Sequence, residues 1–308
     1  MNISNKLKER FCKDYKIPIK LFDEPYFSER LKLCDPYYDS VKHYKDFCSM
    51  LRAYKNEEDY NADYNRVKDE AINFIKNTMA YEVFNTMDMN AFAITHTNLP
   101  HKDIFHESNI GRSFISLDMK KANFNSLRQI ASSIFDDKET WEDFLRKFTN
   151  NEHIINSKYI REVILGNCNP KRHITYEKYL MDKILTNVLE AGVDIKNIVF
   201  FSNDEIIIDI TDTIDFDYEN VLQEVINKAP VPLRMEVFRL RGIKQGNSII
   251  GYIRDLLDGT LDLKALNHLN IPYVLRTLNN EEITDNDLIF EHEGMLAKYL
   301  EKPVITII

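Results

Sequence analysis

One stretch constrains the fold more than any other: "NIVFFSNDEIIIDI", residues 197–210. Two runs of Ile, Val and Phe meet at Ser202-Asn203-Asp204-Glu205. Short runs of that composition read as strands, and Asn and Asp suit the backbone of a tight turn. The segment predicts a hairpin. Both strands are apolar on both faces, so the hairpin is expected to be central in a covered sheet. Its tip then carries two adjacent carboxylates, Asp204 and Glu205. Turn chemistry accounts for Asn203-Asp204 and a solvated strand end for Glu205, so the hairpin alone does not separate structure from function.

A second strand sharpens the question. "SFISLD" predicts a strand over 113–118 that ends in Asp118 and runs into "MKKANFNSLRQIASSIF", where Phe124, Leu127, Ala131 and Ile134 share a helical face. Two strands ending in acids can bring three carboxylates together. Clustered carboxylates repel unless a cation holds them. Mg²⁺ takes such hard oxygens, one or two carboxylates with water and phosphate completing the shell. A pair of such ions stabilises both oxygens of an in-line phosphoryl displacement.

The remaining chain supplies an α+β frame. Residues 1–95 read as mainly helical, with Val67, Ala71, Phe74 and Ile75 at helical spacing. "HTNLPHKDIFHESNIGR" (96–112) has no period and predicts a loop. "DKETWEDFLRKFT" and "SKYIREVILG" predict helices, and "NCNPKRH" reads as a breaker. "TYEKYLMDKILTNVLEAG" is the strongest helix, capped by Thr175, striped by Tyr176, Leu180, Ile184 and Val188, and ended by Gly192. "YENVLQEVINKAP" predicts a helix stopped by Pro230, and "PLRMEVFRLRGI" a strand in which Met235, Val237 and Leu240 interleave with Arg234, Glu236, Arg239 and Arg241. Residues 96–245 thus form an α+β core, an antiparallel sheet with helices on one face. Residues 246–308 read as mixed and are expected to pack on it. Within them "HEG" (292–294) reads as a helix start.

At this point the sequence resembles a family. "SFISLDMKKANFNSLR" is similar to the first motif of palm-domain polymerases and related nucleotidyltransferases, a strand ending in a metal-binding Asp before a helix. "VFFSNDEIIIDI" resembles their third motif, and "SKYIREVILGNCNPKRH" with the helix after it resembles the second, whose basic residue meets a triphosphate. The order of the three agrees over residues 113 to about 243. The pattern departs from diguanylate cyclases in lacking the Gly-Gly before the hairpin acids, and from family B polymerases in lacking an Asn-Ser-x-Tyr-Gly ending. Asn203-Asp204-Glu205 is similar to the Ser-Asp-Glu of the tRNA-histidine guanylyltransferase branch. There is also a likeness to uncharacterised proteins of tailed phages and large DNA viruses, which names no activity.

The resemblance implies a palm fold and a Mg²⁺ (or Mn²⁺) site of Asp118, Asp204 and Glu205. It implies transfer of a nucleotide from an NTP or dNTP to an acceptor hydroxyl, on RNA, DNA or another acceptor. Candidate triphosphate contacts are Lys158, Arg161, Lys171 and Arg172, with Asn167 set to orient a base or ribose. Arg suits bidentate phosphate contact. The alternative is a non-catalytic phage accessory or counter-defence protein on the same scaffold, binding nucleotide, nucleic acid or a host protein.

Other classes are disfavoured. A net charge of −9 argues against a surface coated for duplex DNA. No long apolar run predicts a membrane span, and the N-terminus lacks the apolar core of a signal peptide. Cys12, Cys34, Cys48 and Cys168 are scattered, as expected of reduced thiols in a cytoplasmic protein. His96, His101 and His106, five apart, do not make a helical metal face. "GIKQGNSIIG" is not a P-loop, and no G-x-S-x-G elbow occurs.

Overall fold

The computed structural model describes residues 3–212 and 216–308. Five helices come first: α1 (Asn5–Asp14), α2 (Tyr26–Tyr38), α3 (Ser40–Leu51), α4 (Glu57–Lys76) and α5 (Met79–Thr86). Strand β1 (Ser113–Met119) follows the long loop. Then come α6 (Ala122–Ile130), α7 (Trp141–Leu145), α8 (Glu152–Asn156), α9 (Lys158–Gly166) and α10 (Pro170–Glu190). The hairpin is β2 (Ile198–Phe201) and β3 (Glu205–Asp209), followed by α11 (Tyr218–Lys228) and β4 (Leu233–Gln245). The rest is β5 (Ser248–Leu256), β6 (Leu261–Lys264), α12 (Ile271–Leu278), β7 (Ile289–His292), β8 (Met295–Lys298) and β9 (Ile305–Ile307). The protein is therefore mixed helix and antiparallel sheet, with a helical N-terminal region.

The chain divides into two compact units, neither of them one continuous stretch. The first comprises Met1–Tyr64, Asn151–Tyr159 and Leu240–Ile308, the second Asn65–Asn150 and Ile160–Arg239. In the first, Phe11, Phe27, Phe47 and Tyr60 are fully buried. Asp14 is buried beside them and accepts from Ser157 Oγ at 2.5 Å, and His153 Nε2 lies 3.0 Å from its other oxygen. A buried carboxylate needs such partners. In the same unit β9 pairs with the end of β4, and β5 pairs with β6.

The second unit carries the hairpin. Its strands lie in the order β2-β3-β1-β4, all neighbours antiparallel. The chain order is strand, helices, strand, strand, helix, strand, which is the split β-α-β arrangement. Period-2 alternation sends Ile115, Leu117 and Met119 of β1 to one face with Ile206 and Ile208 of β3 and Leu233 of β4. There they pack on Leu180, Ile184 and Val188 of α10 and Leu222 and Val225 of α11. The face turned away from those helices bears Ser116, Asp118, Glu205 and Glu236.

Three expectations change in detail. β2 is the edge strand of this unit, not a central one; its outer side is met by the loop, where Phe201 N donates to Pro100 O at 2.8 Å. Covering an edge in this way blocks further strand pairing. α10 begins five residues before Thr175, because Pro170 occupies the first turn, where its missing N–H costs nothing. The Thr175 hydroxyl donates to Lys171 O instead of capping. "HEG" is no helix start: Glu293 and Gly294, at φ 50° and 79°, form the two-residue turn joining β7 to β8. Positive φ at both central positions is what a type I′ hairpin demands.

The stripe on α10 gives a direct test. Ile184 is fully buried, whereas Ile174 on the same helix is half exposed. Ile184→Ala is expected to cost about 2–5 kcal/mol in urea unfolding, and Ile174→Ala less than about 0.5 kcal/mol. Equal losses would show that the helix does not pack on the sheet by this face.

Candidate functional site

The site begins with register. Asp118 stands directly opposite Glu205 on β3 and Arg234 on β4. Two residues back, Ser116 stands opposite Glu236. Directly paired residues, and residues two apart, share a face. Asp118, Glu205, Ser116, Glu236 and Arg234 therefore gather on the side turned away from α10 and α11.

Their hydrogen bonds knit the group together. Ser116, fully buried, donates from Oγ to Glu205 Oε1 at 2.5 Å. Arg234 donates from Nη2 to Asp118 Oδ2 at 2.8 Å, and its Nη1 lies 3.0 Å from Glu236 Oε1. The side chains of Asp118 and Glu236 are 28% and 18% exposed and that of Arg234 is 50% exposed, so solvent and solutes reach the cluster. Ion pairs this wet contribute about 1 kcal/mol or less each. Their weakness leaves Arg234 displaceable at small cost.

Asp204 belongs to a different group. Its backbone oxygen accepts from Met119 N at 2.8 Å, and its Oδ1 accepts from Ser202 Oγ at 3.0 Å. Ser202 Oγ also accepts from Glu205 N at 3.0 Å, the side-chain self-bonding expected of the turn. Next to it, Asn203 Nδ2 donates to Glu177 Oε2 on α10 at 3.1 Å. Glu177 is buried. Burial pushes its carboxyl up to about 7, against the lowering hydrogen bond from Asn203; the negative charge of Asp204 adds to the rise, and Ser126 of α6 opposes it. Of the three predicted acids, the register brings Asp118 and Glu205 together. Asp204 works with the turn and the helix behind it.

The predicted phosphate contacts are dispersed in role. Arg172 spends its guanidinium on the end of α5, donating from Nε to Phe84 O at 3.0 Å and from Nη2 to Met87 O. Asn167 Nδ2 donates to Val163 O of its own helix at 2.7 Å. Arg161 is half-buried and its Nε has no hydrogen-bond partner among the described residues; burial lowers its pKa. Lys171 is exposed, and Lys158 lies in the first unit. His173 is buried with its pKa pushed down to about 4 by desolvation, so it carries no charge near neutrality. His96 orients on Asp182, its Nδ1 2.9 Å from Oδ1, while the backbone N–H groups of Thr95 and His96 fill the rest of that carboxylate.

The donor set is all oxygen: Asp118, Glu205, Glu236 and the Ser116 hydroxyl. That chemistry suits Mg²⁺ held by one or two carboxylates with water and phosphate. Among the described residues, no group of three or more His, Cys, Asp or Glu is placed to hold a metal ion by itself. Set against protein-family models, curated proteins and solved structures, the chain matches none.

Ser116, Glu236 and Glu177 escaped sequence reasoning. Ser116 and Glu236 had a signal, since Ser116 lies two residues from Asp118 on β1 and Glu236 two residues from Arg234, which faces Asp118 on β4. Glu177 had one too, a carboxylate at the same helical phase as Met181, Ile184 and Val188.

Glu177 makes the stability of this region sensitive to pH. A carboxyl whose pKa is raised from 4.5 to about 7 holds its proton longer in the folded state than in the unfolded chain. Stability is then fully present below about pH 4.5 and is lost as pH rises through 7, by about 3 kcal/mol at the upper limit. Glu177→Gln is expected to remove that slope, read as the difference between wild-type and variant urea-unfolding curves from pH 4.5 to 8. Parallel curves would refute the assignment.

Proposed function

We propose that the carboxylate face of the β2-β3-β1-β4 sheet is the site of a palm-type, Mg²⁺-dependent nucleotidyltransferase. One observation carries the reading: Asp118 and Glu205 are cross-strand partners on the face turned away from the helices, in a split β-α-β sheet. In this reading they hold Mg²⁺ or Mn²⁺, which when bound supplies charge neutralisation at the transferring phosphoryl group. Ser116 fixes the rotamer of Glu205 through its short hydrogen bond. Asn203 and Asp204, braced by Glu177 and Ser202, set the shape of the tip. Arg234 releases Asp118 and turns to the triphosphate, a bidentate acceptor matched to a guanidinium. Lys171, with its ammonium in solvent, is a further phosphate contact. The acceptor hydroxyl attacks the α-phosphate in line and pyrophosphate leaves.

A second reading has its own support. Arg234 bridges Asp118 and Glu236 with a cationic side chain of the protein itself. An internally neutralised cluster suits a non-catalytic scaffold that binds nucleotide, nucleic acid or a protein. A phage accessory or counter-defence factor in the cytoplasm is such a protein.

Labelled NTPs or dNTPs with Mg²⁺ or Mn²⁺ and short RNA or DNA separate the two. The catalytic reading expects incorporation, lowered by about 100-fold or more in Asp118→Asn and in Glu205→Gln. Both variants should keep the wild-type circular dichroism spectrum. No incorporation by the wild type under either metal removes the enzyme reading and leaves the binding protein, whereas undiminished incorporation by either variant refutes the assignment of that carboxylate.

A further inference from the structure

The first unit ends in a hairpin arm. Among the described residues β7 and β8 pair only with each other. A two-stranded hairpin is marginal by itself in water. The arm is also apolar where it is most exposed. Met295 is 69% exposed, and Leu300 and Val304, just beyond β8, are 99% and 76% exposed. Of the eleven exposed large apolar residues among those described, six fall within 295–308, so they form a patch rather than the usual scatter. Phe290 and Tyr299 brace it, their ring centroids 4.5 Å apart.

The backbone of β8 offers an edge. His292 and Met295 close the two-residue turn, and Tyr299 N donates to Leu288 O at 3.1 Å. Bonded positions alternate along an antiparallel pair. Leu296 and Lys298 therefore turn their N–H and C=O groups outward, where no strand meets them among the described residues. Such an edge is a template for another strand.

Charge around the arm is one-sided. Residues 281–308 hold seven Asp and Glu against two Lys. Asp285 is paired with Lys298 at 2.8 Å, and Glu281 and Asp287 with Arg276. Glu291, Glu293 and Glu301 are exposed, lie among the apolar side chains and have no ion pair among the described residues. A second copy would set these acids against themselves, and a nucleic acid or an anionic lipid surface would meet them as like charge.

We propose that β8 is a docking strand for an extended segment of a partner protein in which apolar and basic residues alternate. The segment adds as a third strand through the outward groups of Leu296 and Lys298. Alternation follows from the faces. Met295 and Ala297 share one face with Phe290, and Leu296 shares the other with Glu291. Apolar residues of the partner cover the first face. Its Lys or Arg residues lay their stems on Leu296 and bring their charges to Glu291.

Fluorescence anisotropy of a labelled short peptide of alternating Val and Lys, titrated with the full chain, tests the assignment. Saturable binding is expected. The peptide with Glu in place of Lys should bind at least about tenfold more weakly. Met295→Ser and Glu291→Gln, at exposed positions, should each weaken binding by about threefold or more. Lys298→Pro removes an outward N–H and should bind about tenfold more weakly than Lys298→Ala, which loses the same ion pair and keeps that donor. Absence of saturable binding, equal affinity for the two peptides, or equal binding by Lys298→Pro and Lys298→Ala would each overturn the proposal. Should Lys298→Pro fail to fold, undiminished binding by Met295→Ser and Glu291→Gln overturns it instead. A dimer in sedimentation that Met295→Ser dissolves would also overturn it and give β8 to a second copy.

Discussion

The pairing of β1 with both its neighbours is the constraint from which the second unit follows. Ile115 and Leu117 face α10 and α11 only because Ser116 and Asp118 face the other way. A slip of one residue on either side would send Asp118 into the apolar layer and Leu117 out of it. The slip is opposed twice over. Burial of Ile115, Leu117, Ile206 and Ile208 fixes the phase of the strands. The Met119 N–Asp204 O bond then fixes the hairpin tip to the end of β1. The apolar layer therefore decides which acids meet.

That dependence explains what the sequence made legible. Strand and helix identities were readable because their periods are strong, as in "SFISLD" and the stripe on α10. The hairpin turn was readable because Asn and Asp announce it. Which carboxylate would face Asp118 was not, because Asp204 and Glu205 are adjacent and only register, a non-local property, tells them apart. β2 read as central because composition reports apolarity, whereas Pro100 covering its edge is a tertiary event. The two discontinuous units were equally hidden: no break in composition marks Tyr64 or Tyr159, and the division near Arg239 falls within a single strand.

Charge is managed differently on the two sides of the sheet. On the face turned away from the helices, Arg234 bridges the partly exposed Asp118 and Glu236 and does so at little cost in desolvation. Behind the hairpin, Glu177 has no cation among its hydrogen-bond partners. Its partners are the Asn203 amide and the Ser126 hydroxyl, and its neighbour Asp204 is an acid, so the proton itself is the counter-charge. Burial and neighbours alone thus poise the Glu177 carboxyl near neutrality.

The two sides meet at the tip. Asn203 and Asp204 belong to the Glu177 group, yet Glu205, one residue on, belongs to the open face. When Glu177 loses its proton, Asn203 gains a stronger acceptor while Asp204 gains a closer like charge. Those effects pull adjacent residues of a three-residue turn in opposite senses. Ser202, whose hydroxyl oxygen accepts from Glu205 N, links that turn to the start of β3. The turn that carries the Glu177 hydrogen bond is therefore continuous, through Ser202, with the first residue of the carboxylate face.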